Sequence, residues 1–474
     1  MRAPYVSIRV EPTGRRAGAA DIVASVAREI ASGTLPAGSR LPPVRVLEQQ
    51  LGISKNTVQA AYDELMARGA VEPREREGVF VAAPAAPVRV AGAVAAPPLP
   101  AFVPPPLSRP DRSDGAISLS NVFIDRDLLP VERLAECGRA VLKEPMPADY
   151  EPQGHPRLRQ LIAERLINRG LDVDPAEIVI TTGSQQSLDI VARSLKVRRM
   201  AIETPVYPYA RLLFDSLGVE LVPLRLDPFT GIDLAAWDRA LAEHKPALAY
   251  AISSFHNPTG YSYTTSELVG LLELCHRHGV ALLEDDWGSD MLSGSEYRPM
   301  LRSLGGRSVL YVNSFTKKLL PSLRVGFIVA ERSLVPTLVS MKRLSTLGNA
   351  WLSEAIVAEF LARGYYDGHL ATLQRELDAR YQACLATLDE VMPAGVRWTR
   401  PGGGPTLWLD VPRTVDLAGL ERDLATRGVV IHDASAAFIG ERHLHGFRIG
   451  YAYLPPDKLR AGLVEVAALL RAAL

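Results

Sequence analysis

Two lysines stand side by side in the stretch Asn313–Phe327, NSFTKKLLPSLRVGF, with Ser314 three residues before the first and Arg324 seven after it. A lysine amine condenses with carbonyl compounds, and does so only after losing its proton, which burial or neighbouring cations promote. A hydroxyl and a guanidinium on the same turn are donors suited to a phosphate. Spacing to Ser314 and Arg324 selects Lys317 over Lys318 as the reactive amine and leaves Lys318 as a solvated charge. The chemistry this suggests is a covalent bond between Lys317 and a phosphorylated aldehyde.

Pyridoxal phosphate is the cofactor with that chemistry, and it makes further demands: phosphate donors, a carboxylate for the ring nitrogen, a donor for the phenolate oxygen and an aromatic ring over its face. Each demand finds a candidate after an apolar run. In TTGSQQSLD, Gly183 ends a run and Ser184 and Gln185 open a helix whose backbone N–H groups would cradle phosphate. SSFHNPTG offers Asn257 to the phenolate. LLEDDWG places Asp285 to hold the pyridinium proton, and ETPVYPYAR offers Tyr207 for stacking. A Ser-x-x-Lys is common by chance and an Asp at a strand end is usually a cap or turn. Their joint order along the chain is what gives the set weight.

These residues must be held by a fold. EIVITTG, RRMAIET, ALAYAISS, VALLEDD, SVLYVNSF and VGFIVA read as buried strands, separated by helical patterns such as SQQSLDIVARSL and TSELVGLLELCHRHG. That alternation predicts an α/β domain with a mostly parallel sheet and a ligand site at its strand ends. Further on, PGGG at 401–404 reads as a turn allowing close backbone approach, with no helix after it to make a phosphate loop.

The N-terminal part reads differently. Ile22, Val23, Val26 and Ile30 recur at helical spacing. A short helix then ends at Gly52, and a third starts from Ser54, an N-cap, and ends at Gly69. AVEPREREGVFVAA follows as two short strands with a charged turn. This is the layout of a winged helix-turn-helix, spanning residues 1–81. The third helix would enter a major groove with Lys55, Asn56, Thr57 and Gln59 facing bases or phosphates, while Arg45 and Arg40 hold the DNA backbone. Residues 82–115, rich in Ala and Pro, cannot pack a core and read as an extended linker. Residues 116–474 form the larger domain.

Bulk composition narrows the classes. With 53 basic and 53 acidic residues the formal net charge is zero, so DNA binding has to come from a local patch. Three scattered cysteines show neither a disulfide framework nor zinc spacing, and no metal site is expected. Nothing resembles a signal peptide or membrane helix, which predicts a cytoplasmic protein.

The stretch RLPPVRVLEQQLGISKNTVQAAYDELMARGAVEP resembles the GntR family of winged-helix regulators. The wing departs from that pattern, reading EREGVF where Gly-x-Gly is usual, with Glu75 and Glu77 beside Arg74 and Arg76. The larger part resembles the fold-type I aminotransferases, and the whole chain is similar to the MocR/GabR group, in which the two are fused. The resemblance implies that Lys317 is the Schiff-base lysine, that Ser314, Arg324, Ser184 and Gln185 bind phosphate, and that Asp285, Asn257 and Tyr207 hold the ring. It also implies that Arg448, in FRIGY, grips an amino-acid carboxylate. Tyr150, in DYEPQG, would reach the cofactor of a partner subunit, in a head-to-tail homodimer. Trp287 stands in EDDW where the family usually reads EDDY, and would take the place of a tyrosine that donates to the phenolate. An indole N–H donates but cannot usefully ionise. Tyr209 and Arg211 are expected to line the effector pocket, with His432 and Asp433 near it. The function implied is a transcriptional regulator that senses an amino compound, or pyridoxal phosphate itself, through Lys317 and acts on operator DNA. The alternative is a working aminotransferase that carries a DNA-binding unit.

Overall fold

The structure is a computed structural model that describes residues 4–10, 17–83, 115–149, 151–291 and 298–474. The chain divides into two compact units, residues 1–100 and 101–474.

In the first unit, α1 (Ala19–Ala31), α2 (Val44–Leu51) and α3 (Lys55–Ala67) precede a hairpin of β1 (Val71–Arg74) and β2 (Gly78–Val81). Each boundary has a local cause. Gly52 ends α2 at φ 63°, a left-handed position that glycine adopts without penalty. Ser54 then caps α3, its Oγ accepting from Thr57 N at 3.2 Å. Ile22, Val26, Leu47, Val58, Tyr62 and Leu65 are almost wholly buried and form one small core. Tyr62 donates to Pro42 O at 2.8 Å, tying α3 to the segment before α2. An antiparallel bridge from Arg40 to Phe80 adds a third edge to the hairpin.

The second unit is built on an eight-stranded sheet. Its strands in chain order are β3 (Ile178–Thr181), β4 (Arg199–Thr204), β5 (Glu220–Asp227), β6 (Gly231–Ile232), β7 (Leu248–Ala251), β8 (Ala281–Asp285), β9 (Val309–Ser314) and β10 (Gly326–Val329). Their spatial order is β3-β10-β9-β8-β7-β4-β5-β6. The run β9-β8-β7-β4-β5 is parallel throughout, while β10 is antiparallel to both neighbours. Each apolar run expected to be a strand is one. β5 was not expected: its burial alternates along the chain and Pro223 interrupts it, so it lacks the continuous apolar signal of a strand covered on both faces.

Helices cover both faces. Among them are α4 (Ser184–Ser194), α5 (Pro208–Ser216), α6 (Thr265–His278) and the long α7 (Tyr365–Val391). Beyond α7, a three-stranded antiparallel sheet of β11 (Arg397–Trp398), β12 (Thr406–Asp410) and β13 (Gly446–Gly450) packs in its own apolar cluster. The segment Ile117–Ser118 pairs in parallel with Val429–Val430. Among the described residues no helix is long and apolar enough to cross a membrane.

Candidate functional site: a lysine cavity at the strand ends

Lys317 lies in the turn after β9 and opens onto a cavity of about 560 Å³ at the carboxyl ends of the parallel strands. Its Nζ donates to Val122 O at 3.5 Å and stands 4.1 Å from the centre of the Phe123 ring. Protein encloses the amine without supplying a carboxylate. Burial first, then the positive charges of Arg448 and Arg324, bring its pKa down to about 7.

Lys318 corrects the expectation of a solvated charge. It is buried, with Nζ 3.0 Å from both oxygens of Asp290 and 2.9 Å from Asn313 Oδ1. Tyr366 of α7 donates to the same Asp290. The two lysines point to opposite sides of the turn, one into the cavity and one into an ion pair that fixes the turn to the helix layer.

The phosphate candidates converge at one end. Gly183 caps α4 at φ 100°, and a Cβ there would lie 2.7 Å from Arg324 Nη2. Only a glycine lets the guanidinium approach this closely. Arg324 itself takes φ 51°, a conformation costing a non-glycine residue on the order of 1 kcal/mol. Ser184 and Ser314 line the cavity nearby, and Ser314 Oγ accepts from Thr316 N at 3.0 Å. Thr316 Oγ1 is buried without a partner among the described residues, a donor that sequence reading overlooked. The side chain of Gln185 is tied to Tyr209 O at 3.0 Å, so its offer to a phosphate is its backbone N–H.

At the other end Asp285 closes β8. Its Oδ2 accepts from Tyr250 at 2.8 Å, while Oδ1 is buried and unpaired among the described residues. Burial pushes this carboxyl up to about 7, against the hydrogen bond from Tyr250. Tyr250 was not foreseen, because its role depends on a residue 35 positions later. Asn257 Oδ1 accepts from Arg448 Nη1 at 2.7 Å. Tyr207 lines the cavity with its ring 5.7 Å from that of Tyr209, and burial raises its phenol pKa.

Two expectations change here. Trp287 is in the cavity wall, but its Nε1 donates to Phe255 O at 3.0 Å. An indole has one N–H, so Trp287 has none left for a phenolate. Arg211 does not line the cavity: its Nη1 donates to Ala436 O and Phe438 O at 3.0 and 2.7 Å, and Asp215 is 3.5 Å from Nε. It pins the 436–438 loop. Tyr150 lies outside the described residues.

Arg448, on β13, is held by Asn257 and by Ser120 O at 2.7 Å. Among the described residues its Nε has no hydrogen-bond partner. Uncompensated burial lowers its pKa to about 10. Glu421, His432 and Asp433 complete the far wall. A smaller recess of about 390 Å³ around Tyr261 and Arg298 shares no lining residue with this cavity and contains neither lysine nor carboxylate. Among the described residues no cluster of His, Cys, Asp or Glu is arranged for a metal.

These residues fit pyridoxal phosphate on three observations: an amine held near neutrality, a buried carboxylate oxygen with no donor, and a helix N-terminus where a guanidinium fills the space of a missing Cβ.

In the N-terminal unit Arg45, Lys55, Asn56 and Gln59 are exposed and Thr57 is partly so. Thr57 Oγ1 is 2.9 Å from Ser54 Oγ and Gln59 donates to Asp63 at 2.8 Å. Arg40 is drawn inward against the wing, where a Cβ on Gly78 would be 3.2 Å from its Nε. In the wing, Arg74 pairs with Glu72 at 2.9 Å and covers the Phe80 ring.

Comparison with known proteins agrees with both halves. Residues 19–81 match the gntR family of bacterial regulatory proteins, and residues 125–466 match the class I and II aminotransferases. The probable rhizopine catabolism regulatory protein MocR of Rhizobium meliloti is 30% identical over 92% of this chain and 90% of its own. TauR, an HTH-type transcriptional regulator of Rhodobacter capsulatus, is 28% identical over 99% of this chain and 100% of its own. Among solved structures, the α-aminoadipate aminotransferase of Thermus thermophilus, complexed with N-(5'-phosphopyridoxyl)-L-leucine, is 30% identical. It covers 76% of this chain and 93% of its own at a TM-score of 0.71. A gntR-type winged helix followed in one chain by a class I and II aminotransferase domain, with similarity running the length of MocR and TauR, places this protein in the MocR-type family of transcriptional regulators.

Proposed function

We propose that this protein binds operator DNA through α3 and senses an amino compound in the Lys317 cavity, using pyridoxal phosphate as the detecting group. The observation that carries the reading is the convergence of Lys317, Asp285, Arg324 and Arg448 on one cavity. Bound there, pyridoxal phosphate supplies an aldehyde carbon that exchanges one amine for another.

The residues divide the work. Lys317, with a pKa of about 7, offers an unprotonated amine at neutral pH without a base to assist it. Arg324, Ser314 and the N–H groups of Ser184 and Gln185 hold the phosphate at the positive end of α4. Asp285 would hold the ring N–H with Oδ1, which has no partner among the described residues, while Tyr250 fixes Oδ2. Tyr207 covers a ring face, and Asn257 bridges from the phenolate side to Arg448. Arg448 binds a carboxylate by its planar fork, and doing so draws it away from Ser120 O. A Lys317 free of the cofactor would have Val122 O and the Phe123 face as its contacts. Both contacts fall on the segment 120–123, where an effector that favours one arrangement of these residues would be felt.

The protein acts as a homodimer in the cytoplasm on this reading. Leu344, Leu347 and Leu352 are exposed on neighbouring segments, an apolar surface that a second copy would cover. Purified protein should show an absorption band with pyridoxal phosphate that Lys317→Ala abolishes, and a candidate amine should shift both the band and operator affinity. No band, or a band indifferent to Lys317→Ala, overturns the reading.

A further inference from the structure

With the cofactor and an amino-acid carboxylate placed as above, the charged groups of the cavity wall can be assigned in turn. Lys317 meets the aldehyde, Arg324 the phosphate, Asp285 the ring nitrogen and Arg448 the carboxylate. Asp433 is already neutralised by Arg442, 2.7 Å away. One carboxylate remains. Glu421 lines the cavity, is half-buried, and among the described residues forms no ion pair with arginine or lysine. Its only polar contacts are long: His432 Nδ1 at 3.4 Å and Asp433 N, which donates at 3.3 Å. A second polar group in the same wall is unspent, since the Ser120 hydroxyl is 5% exposed and without a partner.

The backbone places these groups within reach of Arg448. Arg448 donates to Ser120 O. Ser118 pairs in parallel with Val430, so two residues further along both chains His432 comes beside Ser120, and His432 Nδ1 is 3.4 Å from Glu421. A neutral side chain reaching this wall would leave Glu421 uncompensated, and an acidic one would be repelled. A cationic one would form a charge-assisted hydrogen bond.

We propose that the effector is an amino acid carrying a second cationic group, an amine or guanidinium, at the end of its side chain, and that Glu421 selects it. The proposal rests on the reading that the cavity binds an amino compound over pyridoxal phosphate. It separates this chain from one transaminase relative, the 2-aminoadipate transaminase of Thermus thermophilus, whose named substrate ends in a carboxylate.

The test is a titration of the full-length protein, loaded with pyridoxal phosphate, following the absorption band. Lysine, ornithine and arginine are compared with the neutral analogues norleucine and norvaline and with 2-aminoadipate. A dibasic amino acid should half-saturate the change at a concentration about tenfold or more below its length-matched neutral analogue. Glu421→Gln, which keeps the cofactor band as evidence of folding, should reduce that preference to about twofold. Glu421→Lys should reverse it towards 2-aminoadipate. Equal binding of norleucine and lysine, stronger binding of 2-aminoadipate by the unmutated protein, or a preference that survives Glu421→Gln would each overturn the proposal while leaving the cofactor reading intact. A band that no amino acid disturbs also overturns it. Absence of any band removes the cofactor reading first.

Discussion

Lys317 and Lys318 are chemically identical and adjacent, yet the fold gives them opposite states. Lys317 has lost water without gaining an acid; Lys318 has lost water and gained Asp290. Spacing to Ser314 and Arg324 made the choice between them legible, but burial of Lys318 was not, because Asp290 and Tyr366 come from elements brought together only by folding. Two predictions follow at this scale. Burial lowers the Lys317 pKa, so its neutral form gains as pH rises through about 7. The rate at which the apoprotein captures added pyridoxal phosphate should climb through that pH and level off above it. A rise centred near the ordinary lysine value of 10.5 would contradict the burial argument. Lys318→Met should lower stability in urea unfolding by about 3–5 kcal/mol, by stranding a buried Asp290. Lys317→Met, which strands no charge, should leave stability unchanged or raise it. Equal losses would show that the ion pair does not distinguish them.

Among elements, the strand ends were legible as sites because each apolar run stops at or just before a residue of the cavity wall: Ser184 shortly after β3, Asp285 ending β8, Ser314 ending β9. What those residues touch was less legible. Trp287 was read from its position in EDDW, but the partner that occupies its N–H is the carbonyl of Phe255, 32 residues earlier. The consequence is a cofactor pocket short of one donor. Trp287→Tyr supplies a hydroxyl there, and should raise the rate of transamination with an effector amino acid and a keto acid above that of the unmutated protein. No gain would show that the missing donor does not limit transamination. Gly183→Ala tests the cradle: a Cβ 2.7 Å from Arg324 and a backbone at φ 100° should weaken retention of pyridoxal phosphate by about tenfold or more. Unchanged retention would place the phosphate elsewhere.

At the scale of the whole molecule, a winged helix followed by an α/β domain was readable from periodicity, because each has its own pattern, while nearly all of the expected linker, 82–115, lies outside the described residues. With zero net charge, DNA binding needs a local patch, and we propose that α3 and the helix before it supply it. Arg45→Ala with Lys55→Ala should therefore weaken operator binding across sequences and reduce the slope of log affinity against log salt by about 2. Retained affinity would assign DNA contact to other residues. The claim that joins the two units is that amine chemistry at Lys317 is used to change DNA binding. It is tested most directly by measuring the affinity of the pyridoxal phosphate-loaded protein for operator DNA from upstream of its own gene, with and without an amino acid that shifts its absorption band. The account predicts a change in affinity that saturates with the band and is lost in Lys317→Ala. Operator affinity that stays constant while the band saturates would contradict it.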